Sequence, residues 1–115
     1  RLNAGDTGPM TYCAYIYYPL KERVTADLLR DLLIKDFPKG DIGPLTDQLA
    51  SFHPLPNFAC QFPDTDAETL KAWFKHRHGA LSVLLYPESA NLAHTLAEHG
   101  EWLGRALYLD LEKLN

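Results

Sequence analysis

Cysteine is scarce in this chain. Among 115 residues there are two, Cys13 and Cys60, and both fall inside apolar, strand-like runs. That is too few for the disulfide framework of a small secreted domain; it fits reduced, buried thiols and a cytoplasmic protein. No apolar run approaches the ~20 residues that span a bilayer, and no basic stretch leads into an apolar one near the N-terminus, which argues against an anchor or a secretory leader. Positive charge is also in short supply. Eleven Lys and Arg stand against 15 Asp and Glu, a formal net charge of -4, and no basic stripe offers itself to a nucleic-acid backbone. Internal repeats and low-complexity tracts are missing as well. What is present is a chain 46% apolar and 23% charged, enough for one soluble domain around a single core.

Residues 1–9 are polar, carry two glycines and lack periodicity, so they read as a flexible extension ahead of a single domain over 10–115. Met10 to Tyr18, MTYCAYIYY, is aromatic and β-branched and stops at Pro19, which predicts a first strand. Alternation sets Cys13, Tyr15 and Tyr17 on one face and Tyr12, Ala14, Ile16 and Tyr18 on the other. Both faces are apolar, more than helices on one side can cover, which predicts a homodimer through an exposed sheet face or edge.

Val24, Leu28, Leu29, Leu32, Leu33 and Phe37 recur at helical spacing, and Pro38 and Gly40 end that helix. After an irregular, proline-rich connection from Gly40 to Leu55, Asn57 to Phe62 reads as a second strand. Asp64, Thr65 and Asp66 offer N-caps to a helix carrying Leu70, Trp73 and Phe74, which Gly79 closes. Leu81 to Leu85 is a continuous apolar run stopped at Tyr86-Pro87, the pattern of a strand covered on both faces. A short helix through Leu92, Leu96 and His99 and a last strand from Arg105 to Leu111 complete the order. The expected fold is therefore an α+β, ferredoxin-like sandwich: a four-stranded antiparallel sheet of residues 11–17, 57–62, 81–86 and 105–110, two helices on one face, and a short third helix.

Three stretches carry a family resemblance: IGPLTDQLASFHPLP in the connection, LSVLLYPES at the third strand, and EHGEWLG followed by LYLDL near the C-terminus. Together they resemble the DOPA 4,5-dioxygenase family of small aromatic-ring-cleaving enzymes over about Tyr12 to Leu111. The resemblance implies a ferredoxin-like fold, a dimer, and a histidine-rich site for Fe(II). At four positions where the family pattern has histidine, this chain has Cys13, Tyr15, Thr46 and Tyr86; His53 and His99 remain.

Extradiol cleavage of a catechol needs iron held by a few ligands, commonly two His and one carboxylate, with open positions for substrate and O2. Two readings follow from the resemblance. In one, the chain is a divergent dioxygenase on a catechol-type substrate with a rearranged ligand set drawn from Cys13, His53, Tyr86 and His99. In the other, it is a metal-free relative that keeps the pocket for a small aromatic molecule. Under both, His53 and His99 are the candidate catalytic residues, and Cys13, Tyr15 and Tyr86 the candidate substrate-binding ones, all five lining one pocket. No metal ligand set is assigned and no cofactor is expected, with Fe(II) required only if ring cleavage persists. His94 reads as a surface residue. His76 and His78 imitate a His-x-His pair but sit with Lys75 and Arg77 at a helix C-terminus, where positive charge suits the helix dipole.

Overall fold

The computed structural model describes residues 10–114, so the expectation for residues 1–9 lies outside it. β1 (Thr11–Tyr17) is the central strand of an antiparallel sheet. It pairs on one side with β3 (Asn57–Pro63) and on the other with β4 (Ser82–Pro87). The two-residue β2 (Asp41–Ile42) extends the sheet beyond β3, and β5 (Glu101–Leu103) extends it beyond β4, giving the order β2-β3-β1-β4-β5. This is an α+β architecture compatible with the ferredoxin-like sandwich, with five strands rather than four. The fourth principal strand also lies earlier than expected. It is Glu101–Leu103, whereas 105–110 runs outside any strand. Gly104 explains the early stop: its φ is +78°, and a Cβ there would lie 2.6 Å from the Leu81 carbonyl oxygen, so the chain turns away from β4 at once.

Alternation along the strands sorts the core into two clusters. Toward the helices point Tyr12, Ala14 and Ile16 of β1, Phe58, Cys60 and Phe62 of β3, and Val83 and Leu85 of β4. α1 (Arg23–Asp36) covers them with Ala26, Leu29 and Leu33, and α2 (Ala67–Arg77) with Leu70, Trp73 and Phe74. The Trp73 indole N–H donates to Asp36 Oδ2 at 2.7 Å and ties one helix to the other. Gly79, at φ +53°, follows α2 as the left-handed residue that a helix C-terminus favours.

α1 departs from expectation in one respect. Val24, Leu28 and Leu32, expected in the core, are 73%, 61% and 47% exposed. The helix carries two apolar ridges roughly opposite each other, and only the one through Ala26, Leu29, Leu33 and Phe37 meets the sheet.

The second sheet face is not open over β1 and β4. The turn around Phe52, α3 (Leu92–His99) and the segment carrying Leu107, Leu109, Leu111 and Leu114 pack onto Cys13, Tyr17, Leu84 and Tyr86. Only over β3 does this face stay exposed, and there it offers Ala59 and Gln61. The sheet face from which a homodimer through an exposed face or edge is expected is thus covered over β1 and β4 by the chain's own segments.

Candidate functional site

The covered face of the sheet concentrates the unusual chemistry. Cys13 and Tyr86 are directly opposed across β1 and β4. Two residues along β1, the Tyr15 ring stacks on Tyr86 with centroids 5.5 Å apart, and two further along lies Tyr17. The connection 43–56 delivers the remaining members. Tyr18 donates to Asp47 Oδ1 at 2.6 Å, Arg23 Nε donates to both Asp47 oxygens, and Arg30 donates to the Gly43 carbonyl at 2.6 Å. Held at these points, the chain reaches Ser51, whose φ of +57° is uncommon for a residue with a side chain. That turn sends Phe52 into the interior, 4% exposed, and sets His53 beside it.

His53 is the hub of the cluster. Its ring lies 4.1 Å from Phe52, 4.7 Å from Tyr15 and 5.5 Å from Tyr17, centroid to centroid. Its Nδ1 is 2.7 Å from the Tyr17 hydroxyl. Burial pushes the Tyr17 pKa far above the ordinary phenol range and lowers that of His53. Both groups are thus neutral at pH 7, and assigning the hydrogen bond on that basis makes Tyr17 the donor and Nδ1 the acceptor, leaving Nε2 with the ring hydrogen. Trp102 of β5 closes the far side of Tyr17 at 5.9 Å.

Cys13 and Tyr86 also hold their protons. Burial first, and the Glu88 carboxylate next, push the Cys13 thiol up to about 11, against a hydrogen bond with Tyr86 that pulls the other way. Tyr86 is driven well above its usual range by burial and then by hydrogen bonding with Tyr15. A thiol and phenols that stay protonated are poor metal ligands and poor nucleophiles. Among the described residues, no three His, Cys, Asp or Glu side chains converge as a metal ion would require.

Four of the five expected site residues therefore meet: Cys13, Tyr15, His53 and Tyr86. His99 does not join them. It is exposed at the end of α3, its ring 5.9 Å from that of His94, and it lines a different groove with Tyr12, Lys71 and Glu101. Tyr12 belongs to the helix side of the sheet, so this groove opens at the edge of the molecule rather than over the cluster. Thr46, another of the family's histidine positions, is exposed and bridges to Asn57 through backbone bonds.

Tyr17 and Trp102 are members that sequence reasoning misses. For Tyr17 a signal exists, since alternation already sets it on the face of Cys13 and Tyr15. The cleft beside the cluster has no such signal. About 450 Å³ in volume, it is lined by Tyr17, Lys21, Leu55, Ser82, Arg105 and Leu107, among others. Its walls come from distant parts of the chain, joined where Ser82 Oγ donates to the Arg105 carbonyl at 2.5 Å and the Asp110 N–H donates to the Phe52 carbonyl at 3.1 Å.

No curated protein matches the chain. Among solved structures, a candidate dioxygenase from Nostoc punctiforme superposes with a TM-score of 0.85 at 24% identity, over 92% of this chain and 91% of that one. At that identity the likeness establishes a shared fold. The sequence pattern of the Dopa 4,5-dioxygenase family, in turn, matches residues 12–113, and a match over nearly the whole described chain makes this protein a member of that family.

Proposed function

We propose that this family member binds a small aromatic molecule in the cleft bordered by Tyr17, Leu55 and Leu107, and that it does so without the family's iron. The observation that carries the reading is the state of His53. It is the sole imidazole of the cluster, its Nδ1 is already engaged by the Tyr17 hydroxyl, and its neighbours are phenols, a thiol and a Phe ring. Extradiol iron calls for imidazoles and a carboxylate facing one point, and this donor set does not fit it.

The cleft is of the size that takes small ligands, and its apolar walls suit the face of an aromatic ring. Lys21 and Arg105 on its lining favour a ligand with an acidic substituent. In this reading Tyr15 and Tyr86, packed ring on ring over Cys13, form the rigid wall behind the site. His53 fixes the Tyr17 ring that the ligand meets.

Calorimetric titration with 3,4-dihydroxybenzoate and with catechol tests this. Saturable binding is expected for both, tighter for the acid, and Arg105→Ala should reduce the acid's affinity about tenfold, the equivalent of one charge-assisted hydrogen bond. His53→Ala should weaken binding of both. Protein loaded with Fe(II) without oxygen, then desalted, should retain substoichiometric metal. Stoichiometric iron, or a yellow semialdehyde product on admitting air, would restore the dioxygenase reading with a rearranged ligand set.

A further inference from the structure

Charge is spread unevenly over this molecule. The chain carries a formal net charge of -4, and elsewhere its grooves hold acids: Lys71 shares one with Glu98 and Glu101, and Lys39 shares another with Asp41. The cleft of about 450 Å³ inverts that sign. Lys21 and Arg105 line it, and no Asp or Glu does. Both cations are exposed, and neither is paired with a carboxylate of another described residue, whereas Arg23 is taken by Asp47, Lys71 by Glu68 and Glu101, and Lys113 by Asp110. A cleft lined by one sign of charge focuses its field and concentrates ligands of the opposite sign.

The two cations stand on backbone that the fold pins. Lys21 belongs to the helical turn Leu20–Glu22, where the Glu22 N–H donates to the Pro19 carbonyl at 2.8 Å, and just before it the Tyr18 N–H donates to the Pro56 carbonyl at 2.9 Å. Arg105 follows the turn at Gly104, and its own carbonyl accepts from Ser82 Oγ at 2.5 Å. A ligand with one negative charge uses only one of the two cations. The guanidinium, whose planar fork matches a carboxylate or phosphate, takes that charge in preference to the ammonium, and Lys21 is left in the cleft without a counter-charge. We infer that the cleft takes an aromatic ring bearing two negative charges, carried either as two carboxylates or as one phosphate monoester. Such a ligand presupposes that the cleft admits an aromatic ring at all, as proposed above; the second charge is what Lys21 adds.

Calorimetric titration at low salt and about pH 7.5, where a phosphate monoester is mostly a dianion, compares one charge with two. The dianion of the matching source should bind about tenfold tighter than benzoate: isophthalate if two carboxylates fit, phenyl phosphate if one phosphate does. Lys21→Ala should abolish that advantage while leaving benzoate within about twofold, and Lys21→Arg should keep it. Because both cations are exposed, these variants should share the circular dichroism spectrum of the wild type. Added salt should shrink the advantage, since it screens charges at an open cleft. If neither dianion binds tighter than benzoate, or if the advantage survives Lys21→Ala, the inference is overturned and the aromatic site stands. If benzoate and catechol fail to bind, or succinate binds as tightly as isophthalate, the aromatic site itself falls and the inference with it.

Discussion

The two faces of this sheet use the same strands and the same alternation, yet they are built of different material. Toward the helices lie Ile16, Phe58, Phe62, Phe74, Val83 and Leu85, at most 2% exposed and without a polar side-chain atom to satisfy. On the other face, among leucines such as Leu84 and Leu96, lie Cys13, Tyr15, Tyr17, His53, Tyr86 and Trp102, which bring a thiol, hydroxyls, ring nitrogens and an indole N–H. The first face can be sealed by regular helices, because most of its contacts need only matching shape and its few polar atoms, such as the Trp73 indole N–H, find partners at the rim. The second cannot, since each polar atom there needs a partner at a particular distance, and irregular chain supplies it more readily than a helix does. The contrast separates a face that stabilises from the face that carries the proposed binding site.

The largest effect that would sharpen this division is expected on the helix side. Phe74→Ala should cost about 3–5 kcal/mol of unfolding free energy, as emptied aromatic core sites do. Read by urea denaturation, that loss should leave the affinity of the folded fraction for an aromatic acid unchanged; a comparable fall in affinity would dissolve the distinction between faces. On the other side, Tyr17→Phe keeps the ring and removes only the hydroxyl that His53 Nδ1 accepts from. The expected cost is smaller, about 1 kcal/mol for one half-buried unmade bond. Ligand affinity should nevertheless fall, because the His53 ring is then held by packing alone. The weakest effect is on pH. Burial lowers the His53 pKa in the folded chain, so the unfolded chain binds the extra proton first. This contribution is fully present above the unfolded value of about 6.5 and is lost as pH falls through the folded value. Asp47, lowered by its bonds with Tyr18 and Arg23, acts only in the more acidic carboxylate range. The urea midpoint should therefore drop modestly between pH 7 and 5 in the wild type and less in His53→Gln. Equal slopes would show that His53 is not the group responsible.

Much of the helix face is legible in the sequence because it obeys a single period. The alternation of β1, the unbroken run of β4 and the spacing of Leu70, Trp73 and Phe74 each point to elements that form. Periodicity misleads at Val24, Leu28 and Leu32 because it finds apolar ridges without saying which one meets the sheet. The last strand is misplaced for another reason: Leu107, Leu109 and Leu111 alternate as a strand would, but they spend that alternation on packing over Tyr17 and Tyr86 rather than on a ladder. Family resemblance groups His99 with His53, and the direction of α3 carries it to the outer groove instead.

By itself, then, the sequence determined the elements with a strong local period, the face shared by Cys13, Tyr15 and Tyr17, and the family to which the chain belongs. These are properties of neighbours along the chain, where the geometry of a strand or helix leaves little freedom. Only the tertiary structure decided that His53 meets Tyr17 across 36 residues, that Lys21 and Arg105 share one cleft, and that one ridge of α1 is left outside. Those outcomes depend on how loops close and on which of two apolar surfaces is buried first, and no local period encodes that choice.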